Sequence, residues 1–184
     1  LNNLEAGYYN IKLVDENDCN IEETYRIEQP EEITVSFQKN IVSCYGGSDG
    51  YINTFANGGT TPYNYNWSNG SQEESPSGLT AGEYYLTLSD SHDCKKDTSL
   101  TIETYPEIIV EFNVDPKSCK DIDDAEIQLF PEGGTEEFVY SWSNGKNTKD
   151  IDKLASGNYS VTVKDGNYCE KMLDIHIPDN YTEC

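Results

Sequence analysis

Positive charge is scarce in this sequence: 12 Lys and Arg stand against 34 Asp and Glu, for a formal net charge of -22. That balance repels polyanions, so nucleic acid and anionic membrane surfaces are excluded as expected partners. No run of 18 apolar residues occurs, which excludes a membrane-spanning helix and direct membrane insertion. Methionine appears once and histidine twice, and the six cysteines form no C-x-x-C pair, so zinc ribbons and thioredoxin-type redox sites are not expected. The opening "LNNLEAGYY" has no signal-peptide character and reads as the middle of a module, so the chain is expected to be part of a longer protein. No segment keeps a helical period, and no G-x-S-x-G, H-E-x-x-H or P-loop string is found.

Aromatics are plentiful: 14 Tyr, 5 Phe and 2 Trp supply core material that disordered chains lack. They recur at an interval of 75 residues. At that offset Cys44 falls on Cys119, "GGT" 58–60 on "GGT" 133–135, and "YNYNWSNG" 63–70 on "FVYSWSNG" 138–145. The rear of the unit appears three times, through Leu4, Leu79 and Leu154, then Gly7, Gly82 and Gly157, then Tyr9, Tyr84 and Tyr159. Asp15, Asp90 and Asp165 follow, then Cys19, Cys94 and Cys169. Residues 1–30 therefore read as the rear of one repeat, 31–105 as a whole repeat, 106–180 as another, and 181–184 as the start of a following segment.

Each repeat reads as short strands between turns. "EITVSF" and "EIIVEF" alternate apolar and polar residues, and "YNYNW" alternates until Ser-Asn-Gly stops it. "GEYYLTLSD" puts Tyr84, Leu86 and Leu88 on one face. A Tyr just after a Gly turn at the start of a late strand matches the tyrosine corner of immunoglobulin-like sandwiches, and Trp67 sits one strand earlier, where such folds bury a Trp. The expected fold is all-β: tandem immunoglobulin or fibronectin-like antiparallel sandwiches of about seven strands, with Trp67, Trp142, Tyr84, Tyr159, Tyr65 and Tyr140 in the cores.

Candidate chemistry is thin. His92 and His176 are not equivalent in the repeat, as a shared catalytic site would require, so both are expected to be non-catalytic and the chain not to be an enzyme. Acidic turns raise Ca²⁺, which takes several oxygen ligands, and Asp121, Asp123 and Asp124 are the best cluster. Only Asp15, Asp90 and Asp165 recur strictly, and a single Asp there reads as a turn former, so no cofactor is expected beyond that Ca²⁺ candidate. Tyr63, Tyr65 and Trp67 could stack on sugar, although their alternation, shared with Phe138, Tyr140 and Trp142, suits a core. Asn-x-Ser/Thr strings stand at Asn66, Asn69, Asn158 and Asn180, with Asn66 expected in a buried strand.

Unclustered cysteines in an acidic β-rich chain read as disulfides and hence as extracellular. Pairing within a repeat would join Cys44 to Cys94 and Cys119 to Cys169, leaving Cys19 and Cys184. Pairing across junctions would give Cys19–Cys44, Cys94–Cys119 and Cys169–Cys184. The second is favoured because Cys44 and Cys94 fall at opposite ends of a sandwich, whereas 94–119 could fold back about Pro106.

Cys44, "GGTTPYNYNWSNG" 58–70 and "LTAGEYYLTLSDSHDC" 79–94 together resemble the SprB repeat; the third copy departs only in "EEF" 136–138 for "TPY". The resemblance implies a very large repetitive adhesin of gliding bacteria, exported by the type IX secretion system and carried over the outer surface by the gliding machinery. The ending "IPDNYTEC" is similar to the lead-in to a C-terminal secretion-signal domain. The function expected is a non-enzymatic stalk of a secreted, outer-membrane-associated cell-surface adhesin. It would meet the secretion and gliding machinery on one side and an external surface or polysaccharide on the other. The alternative is a carbohydrate-binding repeat array of a secreted polysaccharide-acting protein.

Overall fold

The computed structural model describes residues 3–120 and 122–179, and every described element is a strand. Two strands pair first: β1 (Gly7–Val14) and β2 (Asn20–Ile27) form an antiparallel hairpin in unbroken register. The middle repeat contributes β3 (Thr34–Lys39), β4 (Gly50–Asn57), β5 (Asn64–Trp67), β6 (Ser77–Leu79), β7 (Gly82–Ser89) and β8 (Lys95–Ile102). The last repeat contributes β9 (Ile109–Asp115), β10 (Ala125–Glu132), β11 (Val139–Trp142), β12 (Ile151–Leu154), β13 (Gly157–Lys164) and β14 (Glu170–Ile177). The bounds of β4, β5, β7 and β8 reappear 75 residues later without change, and β1 and β2 match β7 and β8 in the same way.

In the last repeat the sheets run β12-β10-β9 and β11-β13-β14. This is the two-sheet order of an immunoglobulin-like sandwich, with six strands per repeat. Among the described residues no seventh strand forms in the last repeat, and 143–150 turns instead: the Trp142 N–H donates to Lys146 O and the Gly145 N–H to Trp142 O. "AEIQLFPE" alternates as expected, burying Ala125, Ile127 and Leu129. These meet Trp142, Ile151, Leu154, Val161, Val163, Ile175 and Ile177 in one apolar cluster, with Tyr140 and Tyr159 packed half-buried at its margin. The middle repeat repeats the plan, as β3-β4-β6 and β5-β7-β8.

The chain divides into two compact units whose borders fall inside the middle repeat. The first is Leu1–Phe37, Thr54–Glu73 and Tyr85–Thr98; the second is Gln38–Asn53, Glu74–Tyr84 and Ser99–Cys184. The first buries Ile33, Trp67, Leu86 and Leu88, with the Phe37 ring 5.9 Å from that of Trp67. The second buries Val42, Ile52, Leu79, Tyr84 and Ile102 besides the cluster of the last repeat.

The repeated motifs have local reasons. The hydroxyls of Tyr9, Tyr84 and Tyr159 donate to the carbonyls of Glu5, Thr80 and Ala155 at 2.7, 2.9 and 3.1 Å. Each is a tyrosine corner, tying the turn to the strand that follows it. The indole N–H groups of Trp67 and Trp142 donate to Glu73 O and Thr148 O, both at 2.9 Å, so each buried ring keeps its one donor satisfied. In the Gly-Gly pairs, φ is positive and space is absent: a Cβ on Gly134 would lie 2.7 Å from Asp165 Oδ2 and 2.9 Å from Ile108 Cγ1. Asn66 lies on the outward face of β5 and is exposed, not in the buried position expected for it, because Tyr65 and Trp67 take the inner side.

Candidate functional site

The covalent feature that unites two repeats is a disulfide between Cys44 and Cys169, with Cα atoms 5.6 Å apart and 125 residues apart in sequence. It matches neither expected scheme. Cys19–Cys44 and Cys94–Cys119 do not form, because Cys19 and Cys94 are free exposed thiols. Cys44–Cys94 and Cys119–Cys169 are likewise excluded, and so is Cys169–Cys184. Cys119 is also disulfide-bonded, while Cys184 lies outside the described residues.

The reason lies in the chain just before Cys44. The buried Val42 donates its N–H to Glu103 O at 2.8 Å and forms a parallel bridge with Thr104. That contact lays the following loop along the exit of its own repeat, beside Tyr105, Pro106, Glu107 and Ile108 at the entry of the next. Lys171 pairs with Glu107 at 2.9 Å, which holds the 165–171 turn against the same entry. Cys44 therefore meets Cys169 of the following repeat and not a cysteine of its own. Residues 94–119 do not fold back about Pro106; β8 and β9 belong to different sheets.

Both halves of this clasp are pre-shaped. On the early loop, the Ser43 N–H donates to Asp49 Oδ1 at 3.0 Å, its hydroxyl to Asp49 Oδ2, and the Gly47 N–H to Cys44 O at 2.8 Å. On the receiving turn, Asp165 Oδ1 accepts the N–H groups of Asn167 and Cys169, each at 2.9 Å. Asp165 Oδ2 accepts the Thr135 N–H at 2.9 Å, which locks the turn to the Gly-Gly-Thr loop. Tyr168 takes a positive φ of 65° in the bend. Across the joint, Asn167 Nδ2 donates to Ser43 O at 3.3 Å, and Cys169 Sγ lies 3.3 Å from the same oxygen. A cavity of about 230 Å³ beside the bridge is lined by Tyr45, Tyr105, Ile108 and Lys171 among others.

Burial pushes the Asp165 carboxyl up, but the N–H groups of Thr135, Cys169 and Asn167 outweigh it, with the Thr135 hydroxyl, and hold it below the usual carboxylate value. Asp90 behaves alike: burial raises it, but the N–H groups of Thr60, Cys94 and His92 outweigh this and hold it below the usual carboxylate value. Sequence reasoning recognised these aspartates as turn formers but not their reach to the Gly-Gly-Thr loop 30 residues away. The recurrence of both motifs at one offset was the available signal.

Of the Ca²⁺ candidates, Asp123 and Asp124 each take a partner within the protein. Asp121 lies outside the described residues. Asp123 pairs with Lys117 at 3.3 Å. Asp124 is the repeat equivalent of Asp49 and does its work, accepting the Ser118 N–H at 2.9 Å and hydroxyl at 2.5 Å. Among the described residues no group of three or more His, Cys, Asp or Glu is placed to hold a metal. His92 donates its backbone N–H to Asp90, and His176 meets Asn158 Oδ1 at 2.8 Å on an exposed strand face, so the two rings share no site. Asn180 lies outside the described residues.

Repeated all-β sandwiches, with a covalent bond from one repeat into the next, define a tandem-repeat all-β protein. Within each of the last two repeats a segment matches the model of the SprB repeat family, over residues 37–72 and 112–147. No curated protein matches the chain. Among solved structures, it is similar to a C-terminal 282-residue fragment of intimin in complex with the intimin-binding domain of the translocated intimin receptor. The identity is 9% and the TM-score 0.41, over 84% of this chain and 66% of that one. It is also similar to the eight N-terminal Ig domains of Down Syndrome Cell Adhesion Molecule, at 13% identity and a TM-score of 0.43, over 89% of this chain and 26% of that one. The chain thus spans less than two thirds of either structure.

Proposed function

We propose that this chain is a load-bearing, non-enzymatic segment of a secreted cell-surface adhesin of gliding bacteria, exported by the type IX secretion system. The observation that carries the reading is the pair of matches to the SprB repeat family, residues 37–72 and 112–147, in a chain whose consecutive repeats are bonded through Cys44 and Cys169. A stalk under tension benefits from such a bond, which removes the intervening residues from the length that unfolding can release. The net charge of -22 favours an extended, soluble array over self-association. Its partners in this reading are the secretion and gliding machinery, and beyond the cell an external surface or polysaccharide. The carbohydrate-binding alternative has less support, because Trp67 and Trp142 are buried and offer no ring face to a sugar.

The test is labelling of live cells of the gliding bacterium that makes the protein, with fluorescent antibody raised against residues 31–179. The reading expects bound label on unpermeabilised cells, travelling along the cell body. Label reaching its antigen only after permeabilisation would contradict it.

A further inference from the structure

Cys94 stands where Cys169 stands, one repeat earlier, yet it is a free exposed thiol. Its surroundings already have the form of the occupied clasp. Asp90 Oδ1 accepts the N–H groups of His92 and Cys94 at 2.8 and 2.9 Å, as Asp165 does for Asn167 and Cys169. Asp93 takes a positive φ of 61° where Tyr168 takes 65°. Asp90 Oδ2 holds the Thr60 N–H at 2.9 Å, and Lys96 pairs with Glu32 at 2.8 Å as Lys171 pairs with Glu107. His92, at the position of Asn167, supplies a ring nitrogen where that side chain donates across the joint.

A second observation points to what fits there. In the occupied clasp the early loop rests on Glu103 and Thr104 and runs past Tyr105 and Pro106. The repeat equivalents of those four residues are Glu28, Gln29, Pro30 and Glu31, and they line an open groove of about 640 Å³. Groove and thiol both belong to the first compact unit. The hairpin beside the groove also leaves Ile11 and Leu13 at 42% and 66% exposure, where their equivalents Leu86 and Leu88 are buried.

We propose that Cys94 is the receiving thiol of a second inter-repeat disulfide, and that its partner is the early-loop cysteine of a repeat of this same type completed ahead of the β1–β2 hairpin. The pattern is that of Cys44 and Cys169: an early-loop cysteine that is followed by a further repeat bonds to the late cysteine of that repeat. Bond formation is thiol–disulfide exchange with a disulfide oxidant such as oxidised glutathione. One cysteine thiolate attacks the glutathione disulfide and expels a glutathione thiolate. The other thiolate attacks the mixed disulfide and expels the second. The cysteine pair loses two electrons, glutathione disulfide gains them, and the two thiol protons pass to solvent.

The experiment extends the full chain by a copy of residues 31–75 ahead of Leu1, with Tyr45→Phe in the copy to give its cysteine peptide a distinct mass. The chain is folded with oxidised glutathione, and a non-reduced digest is read by mass spectrometry. The expected result is the added cysteine bonded to Cys94, with one free thiol fewer than the parent chain, and one thiol restored to titration when Cys94→Ser is introduced beside it. The Cys44–Cys169 bridge in the same molecules certifies the fold. An added cysteine bonded to Cys19, or free while Cys44–Cys169 is intact, would overturn the proposal. If the extended chain does not fold, the parent is treated with a peptide of residues 40–50 activated at its cysteine as a mixed disulfide with 5-thio-2-nitrobenzoate. Cys94, with its groove present, should then react at least about fivefold faster than Cys19, a difference of about 1 kcal/mol; equal rates would overturn the proposal.

Discussion

Asp165 shows how much one side chain can organise. Its two oxygens gather three backbone N–H groups from two loops, and the turn they fix presents Cys169 to Cys44. Removing the carboxylate leaves those donors without their acceptor. Asp165→Ala should therefore lower stability by about 1–3 kcal/mol at neutral pH, measured by chemical denaturation. The loss should depend on pH. A carboxyl held below its ordinary value of 3.8 in the folded chain contributes stability that is complete above that value. The contribution fades as pH falls through 3.8 towards the lower folded value, so parent and variant should converge in acid. A constant gap between them down to pH 2 would contradict this role. The aspartate was legible from its threefold recurrence. Its long-range partner was not, because a Gly-Gly-Thr loop discloses positive φ but not which carboxylate fills the space a Cβ would need.

Strands were the most legible elements. "AEIQLFPE" and "GEYYLTLSD" alternate over one buried face, and the 75-residue offset reproduces whole strands, so sequence and structure agree on where they lie. The pairing of cysteines was hidden because it turns on an isolated parallel bridge between Val42 and Thr104, a contact with no periodic signal. Placing Cys44 by strand counting put it at an end of its own sandwich; the bridge carries it over to the next. Hairpins of identical register also differ in what supports them. β1–β2 and β13–β14 each pair eight residues, but Ile11 and Leu13 are exposed where Val161 and Val163 are 1% and 0% exposed. Hairpins without a covered face are marginal in water. Amides of β13–β14 should exchange with solvent at least about 100-fold more slowly than those of β1–β2, as read by hydrogen–deuterium exchange mass spectrometry. Equal protection would show that the register alone holds the first hairpin.

At the scale of the molecule, the disulfide changes what the repeats can do together. Closing a loop of 125 residues removes unfolded-chain entropy, an effect of about 5 kcal/mol in the chain-entropy account. For the stalk proposed above, the mechanical consequence matters more than the thermodynamic one. The residues between Cys44 and Cys169 cannot extend while the bond is intact, even if both repeats open. The measurement that tests this most directly is single-molecule pulling on the two ends of the chain, before and after reduction. At about 3.3 Å per residue, reduction should add at least roughly 400 Å to the length released on complete unfolding, given the 125-residue separation of the bridge. The same released length with and without reductant would contradict the clasp, and with it the account of these repeats as a covalently joined, load-bearing array.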